Sequence, residues 1–238
     1  MGYISIILLS SLLVYSSIAQ QCEQISDSDR FDCYPENDAS QEKCHERNCC
    51  WKQADSLRDV NVPYCYYPKD FPDYNLNKIE ETEFGLRIRI NKSLTGYMPN
   101  ESNDLTVDLV YETTQRLRIR IYSSFEKRFE VPLPVPVIEK KAIAIDYDIH
   151  VEQKPFSIVV KRKSNGMILF DSSVSPLIFA DQFIKFSTRL SSPLVYGLGE
   201  HRQSLLINVT NSWKKLTFWS RDFPPVENTN LYGLFFQK

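Results

Sequence analysis

Six cysteines lie within residues 22–65, and the rest of the 238-residue chain has none. A segment this short cannot bury enough apolar surface to fold around a core of its own. An even set of cysteines behind an apolar leader is typical of a disulfide framework, in which each bridge contributes about 2–5 kcal/mol. We therefore expect disulfides to dominate the stability of this segment, and the cysteine count leaves about fifteen pairings open. The six are Cys22, Cys33, Cys44, Cys49, Cys50 and Cys65.

Zinc binding is the alternative explanation for this cluster, because Cys44-His45 and Cys49-Cys50 offer possible ligands. Structural zinc sites usually place about two to four residues between paired cysteines, which adjacent cysteines do not match. An oxidising compartment also disfavours free thiolates. We predict disulfides, with no metal and no cofactor.

Residues 1–19 have the pattern of a signal peptide. Ile4–Val14 is almost purely apolar, and Ser17 and Ala19 form a small-x-small cleavage site before Gln20. The apolar run is shorter than the about 20 residues that span a bilayer, although an uncleaved anchor is the alternative. We predict a secreted or lysosomal chain without a membrane span. Its Asn-x-Ser/Thr sequons predict glycosylation at Asn91, Asn100 and Asn208.

The charge of the chain is nearly balanced, with 28 Lys and Arg against 30 Asp and Glu. A formal net charge of −2 gives no electrostatic steering toward nucleic acid, so we expect no nucleic-acid partner. Aromatic residues make up 13% of the chain, and such rings suit β-sheet faces, interfaces and sugar-binding surfaces.

Beyond a short proline-containing linker at 69–77, the hydrophobic pattern has a period of two residues. Leu86–Ile90, Leu117–Ile121 and Ile143–Val151 alternate apolar and polar residues, which predicts strands with one buried face. Phe156–Phe170 contains Asn165-Gly166 and predicts a hairpin. The three prolines within Val131–Val137 exclude a central strand there. The pattern predicts an antiparallel β-sandwich.

Polar residues on these strands have two possible roles. Asp146 and Asp148 would project from one face roughly 7 Å apart, a separation seen in glycosidase carboxylate pairs. Acids at i and i+2 on an outer strand face are more often simply solvated, and we favour that interpretation. We expect Arg87-x-Arg89 and Arg118-x-Arg120 to face solvent and to pair with acids across the sheet.

The cysteine segment resembles the trefoil, or P-type, domain. The resemblance rests on Arg30-x-Asp32-Cys33-x-Pro35, on Cys44-x4-Cys49-Cys50-Trp51 and on Pro63-Tyr64-Cys65-Tyr66-Tyr67-Pro68. It covers residues 22–68 and implies the bridges Cys22–Cys50, Cys33–Cys49 and Cys44–Cys65. It departs from the family pattern at Tyr34, where glycine is common. A trefoil cleft would use Trp51, Tyr64 and Tyr66, either to bind sugar or, as we favour, to shield the small core.

Residues 78–238 resemble the N-terminal domain of glycoside hydrolase family 31. The motifs occur in the family's order along the chain: Gln153-x-Pro155-Phe156, Leu169-Phe170-Asp171, Phe179-Ala180-Asp181-Gln182-Phe183, Tyr196-Gly197-Leu198-Gly199-Glu200-His201, Arg221-Asp222-x-Pro224 and Asn230-Leu231-Tyr232-Gly233. A trefoil followed by this series implies an α-glucosidase and a galactose-mutarotase-like β-sandwich.

The resemblance also implies what these residues lack. The family's nucleophile lies in a Trp-x-Asp-Met segment on a (β/α)8 barrel, and these 238 residues contain no such segment. A barrel needs about 250 residues. We expect an incomplete sandwich that is inactive alone and prone to self-association. Arg221 and Asp222 match the family's Arg-Asp pair, which contacts an α-glucan or maltooligosaccharide in the full-length enzyme.

Three functional hypotheses follow. The chain is a truncated portion of an enzyme, a stand-alone secreted trefoil lectin or mucin-associated protein, or a scaffold for a separately encoded barrel. Motifs that stop within a sandwich favour the first, because a binding module should end after a complete fold.

Overall fold

The computed structural model describes residues 22, 25–55, 62–69, 71–92, 96–197 and 204–209. The chain divides into two compact units. One comprises the residues up to Pro68 together with those from Ser192 onward, and the other is Lys69–Ser191. Strands far outnumber helices among the described residues, so the predicted mostly β fold is confirmed.

The cysteine segment contains little regular structure. A 3-10 turn at Asp27–Asp29 precedes helix α1 (Gln41–Glu46). Ser40 caps α1, because its side-chain oxygen accepts a hydrogen bond from the backbone N–H of Lys43 at 3.3 Å. Strands β1 (Cys50–Trp51) and β2 (Cys65–Tyr66) then form a two-stranded antiparallel sheet.

The larger unit contains a four-stranded antiparallel sheet. Its strands follow the order of the chain: β3 (Asn75–Thr82), β4 (Gly85–Asn91), β5 (Asp104–Tyr111) and β6 (Leu117–Ser123). The first strand starts inside the predicted linker at 69–77. The predicted period is confirmed on β4, where Ile88 and Ile90 are buried while Arg87 and Arg89 lie on the opposite face.

A second sheet of the same unit has three antiparallel strands, β7 (Tyr147–Gln153), β8 (Phe156–Arg162) and β9 (Ile168–Asp171). The predicted hairpin joins β8 to β9. Gly166 in its turn has a φ of +68°, a conformation that glycine adopts without steric cost. A short antiparallel pair, β10 (Ile178–Ala180) and β11 (Phe183–Lys185), follows.

The inner faces of the two larger sheets share one hydrophobic core, which makes the unit a β-sandwich. The four-stranded sheet contributes Ile88, Ile90, Leu105, Val107 and Leu109 to that core, and the three-stranded sheet contributes Tyr147, Phe156, Ile158 and Val160. In the other unit, β12 (Leu194–Val195) pairs antiparallel with β13 (Ile207–Asn208).

The predicted strand from Ile143 is wrong in its first four residues. Strand β7 begins at Tyr147, opposite the last residue of β8, and Ile143 is 89% exposed. Since β8 ends there, residues 143–145 lie outside the strand pairing. The carbonyl of Asp146 still accepts from the N–H of Lys163 at 2.9 Å, but its own N–H donates to the carbonyl of Thr114 at 2.8 Å. The proline-rich residues 131–137 form no strand, as predicted.

Candidate functional site

Three disulfides tie the cysteine segment together: Cys22–Cys50, Cys33–Cys49 and Cys44–Cys65. Their Cα–Cα distances are 5.5, 6.5 and 5.7 Å. This is the pairing that the trefoil resemblance implies. Among the described residues, the sulfur atoms of Cys33, Cys49 and Cys65 lie within 4.8 Å of one another. All three are oxidised, so they offer no thiolates to a metal ion.

Arg30 is the polar centre of this segment and is fully buried. One guanidinium nitrogen donates to the carbonyl oxygens of Lys52 and Gln53 at 3.1 and 3.3 Å, and another lies 2.7 Å from a carboxylate oxygen of Asp27. The guanidinium also stacks over the Tyr66 ring, 4.6 Å from its centroid. One charged side chain therefore connects the start of the segment to the residues after β1. Arg30 belongs to the motif on which the trefoil resemblance rests, but the hydrophobic pattern of the sequence around it did not predict that its side chain is buried.

The predicted aromatic cleft is reduced to two rings. Tyr66 is fully buried, and its hydroxyl donates to the carbonyl of Cys22 at 2.9 Å, so this ring shields the core, as we favoured, and does not line a cleft. Tyr64 lies just before β2, which begins at Cys65, so it is outside the strand that holds Tyr66. The Trp51 and Tyr64 rings pack edge to face, with centroids 6.0 Å apart, and Tyr64 is 45% exposed.

Tyr34, which stands where trefoils often have glycine, forms an exposed cluster. Arg47 stacks on its ring at 3.8 Å and makes two hydrogen bonds to Glu36, at 2.7 and 3.0 Å. The backbone N–H of Tyr34 donates to the Asp32 carboxylate at 2.9 Å. The aromatic ring thus provides a stacking surface for Arg47 that glycine could not provide.

In the larger unit, arginines on the outer face of the four-stranded sheet pair with acids on neighbouring strands. Arg87 binds Asp108 through two nitrogens at 2.7 and 3.0 Å, and the Tyr122 hydroxyl donates to the same carboxylate at 3.0 Å. Arg118 lies 2.9 Å from Glu112. The predicted pairing across the sheet is confirmed for Arg87, whereas the acid beside Arg118 lies just after the end of β5.

Asp146 and Asp148 are both exposed, as we favoured. A lysine, Lys163, lies 3.7 Å from the Asp148 carboxylate. An exposed acid with a lysine neighbour has no feature of a catalytic carboxylate, which requires a perturbed and enclosed environment.

A buried polar cluster lies where the chain enters β3, and sequence reasoning missed it. Asp73 accepts hydrogen bonds from the N–H groups of Tyr74 at 2.7 Å and of Leu177 at 3.2 Å. Burial raises the pKa of Asp73 to about 6, against the lowering effect of these two bonds. Lys92 pairs with Glu101 in the interior, and its ammonium lies 4.9 Å from the centroid of the Tyr74 ring.

A small cavity of about 20 Å³ lies beside Asp73 in the larger unit. Apolar side chains form most of its wall, and Ser172, Ser175 and Ser187 contribute hydroxyl groups. That volume corresponds to roughly one water molecule, so the cavity is too small for a sugar.

The other predicted site residues are distributed as follows. Asn91 ends β4, and Asn100 lies in an exposed turn. Asn208 lies in β13. Arg221, Asp222, Glu200, His201 and the predicted signal peptide at 1–19 lie outside the described residues. Within the part of the chain that the structure describes, no helix is both long and apolar enough to cross a bilayer.

Comparison with known proteins identifies the disulfide-linked segment and gives relatives for most of the chain. Residues 22–68 match the trefoil (P-type) domain family. Mouse lysosomal alpha-glucosidase is 36% identical over 216 residues, which is 90% of this chain and 22% of the relative. Rabbit intestinal sucrase-isomaltase is 36% identical over 87% of this chain and 11% of the relative. Human probable maltase-glucoamylase 2 is 33% identical over 88% of this chain and 9% of the relative.

The chain spans only about a fifth of the length of the mouse relative, which is therefore several times longer. The chain contains a trefoil domain and is homologous to the N-terminal regions of glycoside hydrolase family 31 α-glucosidases. The resemblance predicted from its motifs is therefore confirmed. A trefoil domain, three disulfides and lysosomal and intestinal relatives are consistent with the secretory route.

Proposed function

We propose that this chain is the N-terminal, non-catalytic portion of an α-glucosidase that releases terminal α-1,4-linked glucose from maltooligosaccharides or α-glucan. The observation that carries the proposal is the similarity to lysosomal alpha-glucosidase along 90% of the chain. A disulfide-linked trefoil followed by a β-sandwich supports it. The proposed domains are a signal peptide at 1–19, a trefoil at 22–68, a linker at 69–77 and the family 31 sandwich from 78 to 238.

The proposed substrate contact is made by Arg221 and Asp222. A guanidinium and a carboxylate can together donate to and accept from several hydroxyl groups of one sugar. The contact needs the catalytic barrel of a full-length enzyme, since retaining glycosidases place a nucleophile and an acid/base on either side of the scissile bond.

A chimera tests both parts of this proposal. Residues 22–238 replace the corresponding region of a full-length family 31 α-glucosidase, and hydrolysis of maltose is measured. We expect the chimera to be active and the isolated chain to give no turnover above an enzyme-free control.

Arg221→Ala or Asp222→Ala in the chimera should lower kcat/KM by roughly 10- to 100-fold, the value of a charged hydrogen bond. Arg189→Ala is the matched control, because Arg189 is 58% exposed and lies 3.9 Å from Asp171 in the larger unit. Turnover by the isolated chain that a carboxylate substitution abolishes would contradict a non-catalytic role. Equal activity in the three variants would contradict the substrate contact.

A second candidate function, a trefoil lectin, is favoured by the ring pair of Tyr64, which is exposed, and Trp51, which is half-buried. Such rings can pack against the apolar face of a sugar. Calorimetric titration of the chain with mucin-type oligosaccharides, compared with Trp51→Ala, tests it. Heat that the substitution abolishes supports a lectin, and identical titrations of both proteins contradict it.

A further inference from the structure

Asn100 combines a sequon with a position that suits a bulky modification. It lies in a turn, is exposed and has a φ of +55°, a left-handed conformation that asparagine tolerates better than most residues. A glycan here would extend into solvent without disturbing a strand ladder.

The sequon at Asn91 occupies a different environment. Asn91 is the last residue of β4 and is paired on both sides, with Asn75 of β3 and Asp104 of β5. It is also half-buried. Of the two sequon asparagines whose side chains are described, Asn100 is the more accessible.

An independent feature of the same region is a pair of exposed phenylalanines. Phe125 and Phe129 are 84% and 86% exposed, although each carries a large apolar ring. The backbone around them is held in place, because Arg128 donates to the carbonyl of Ala180 at 2.8 Å and stacks over Phe179 at 4.4 Å. Two exposed rings four residues apart on a fixed backbone indicate a surface that another group covers.

Hydrogen bonds connect the sequon directly to this surface. The hydroxyl of Ser102, the third residue of the sequon, donates to the Ser123 hydroxyl at 3.2 Å, which in turn accepts from the N–H of Phe125 at 3.4 Å. On the other side, Glu101 forms a β-bridge with Ala180, the residue that receives Arg128. Asn100 therefore lies beside the segment that carries both phenylalanines.

We propose that Asn100 carries an N-linked glycan whose core sugars cover Phe125 and Phe129. The C–H faces of the inner sugars would pack on the rings, while their hydroxyl groups remain in water. The glycan thus accounts for two apolar side chains that the described part of the chain leaves uncovered. The inference rests on the proposed secretory route, because N-glycans are added there.

The test uses the full chain produced in cultured animal cells. Mass spectrometry of peptides, with and without enzymatic removal of N-glycans, should find a glycan on Asn100. Asn100→Gln should increase the fluorescence of an apolar-surface dye relative to the glycosylated chain. Introducing Phe125→Ser and Phe129→Ser should abolish that increase, whereas Asn91→Gln alone, the matched control, should leave the dye signal unchanged.

The outcomes separate this inference from the proposed route. A secreted chain with intact disulfides and an unmodified Asn100 would overturn the glycan alone. A glycan on Asn100 with equal dye fluorescence in the wild-type and Asn100→Gln chains would overturn the proposed cover. A cytosolic chain with reduced cysteines would overturn both the route and the glycan.

Discussion

The trefoil segment and the β-sandwich unit of this chain are stabilised in different ways. In the trefoil segment most buried hydrophobic residues are half-cystines or tyrosines, and a charged arginine lies at the centre. In the sandwich unit the buried residues are mainly aliphatic and come from two facing sheets. The difference follows from size, because a short segment cannot bury enough apolar surface and needs covalent links instead.

Reduction of the disulfides should separate the two regions most strongly. With each bridge contributing about 2–5 kcal/mol, a reducing agent should unfold the trefoil segment and leave the sandwich folded. Hydrogen exchange followed by mass spectrometry measures this directly. We expect loss of protection in residues 25–55 and retention in β4 and β5. Protection that persists in the reduced trefoil segment would show that noncovalent contacts suffice there.

Replacing Arg30 tests whether the trefoil segment also depends on its buried charge. Arg30→Met leaves the Asp27 carboxylate and the carbonyls of Lys52 and Gln53 without their partner, which should cost about 3–5 kcal/mol. Lys43→Met is the control, because Lys43 pairs with Asp38 at the surface and should matter little. Denaturant unfolding followed by hydrogen exchange compares the two variants. Equal stability of the two would contradict a central role for Arg30.

Gly85 provides the corresponding test in the sandwich unit, where backbone packing should be limiting. Its φ is +149°, and a Cβ atom there would collide with the carbonyl oxygen of Leu109 on β5. Gly85→Ala should therefore destabilise the unit by about 2–4 kcal/mol. Gly166→Ala should cost only about 1 kcal/mol, because its φ is +68° and no atom lies within 4 Å of the added Cβ. Urea unfolding midpoints should differ accordingly, and matching midpoints would contradict the predicted collision.

The two regions also differ in how far the sequence predicts them. Strands β4, β6 and β8 were predictable because a period of two residues is a local property. The disulfide pairing was not, because the cysteine count leaves about fifteen possibilities and only the trefoil resemblance selects one. The role of Asp73 depends on Leu177, which is 104 residues away, and no local pattern records such a contact.

A similar limit applies to the candidate sites. Tyr64 and Tyr66 look equivalent in sequence, yet Tyr66 lies in β2 and is buried, whereas Tyr64 precedes the strand and is exposed. The predicted strand began too early, at Ile143 instead of Tyr147, because its partner β8 stops at Arg162, which is a tertiary constraint. Asn100 is likewise more accessible than Asn91 because Asn91 is paired across the sheet, and the sequence does not show which residues pair there.

The smallest effect that we predict concerns pH and should be confined to the sandwich unit. Burial raises the pKa of Asp73 to about 6, whereas the ordinary value of an aspartate is 3.8. Between these values the folded state binds a proton that the unfolded state does not, so this contribution to stability grows as pH falls through 6 and is lost as pH rises above it. Lys92 lowers and Glu101 raises the pKa of Asp73, but burial has the largest effect. From pH 7 to pH 5 the gain should be about 1 kcal/mol.

Asp73→Asn keeps an acceptor oxygen for only one of the N–H groups of Tyr74 and Leu177, which bind different carboxylate oxygens, and it cannot titrate, so it should remove this pH dependence. Urea unfolding of the wild-type chain and the variant at pH 5 and pH 7 measures the difference. The trefoil segment serves as the internal reference, since none of its groups has a comparable buried and raised carboxyl pKa among the described residues. The predicted sign would be reversed if the wild-type sandwich lost stability from pH 7 to pH 5 relative to the change seen in the variant. That result would place the ionised form of Asp73, held by its two backbone N–H groups, as the one that the fold prefers.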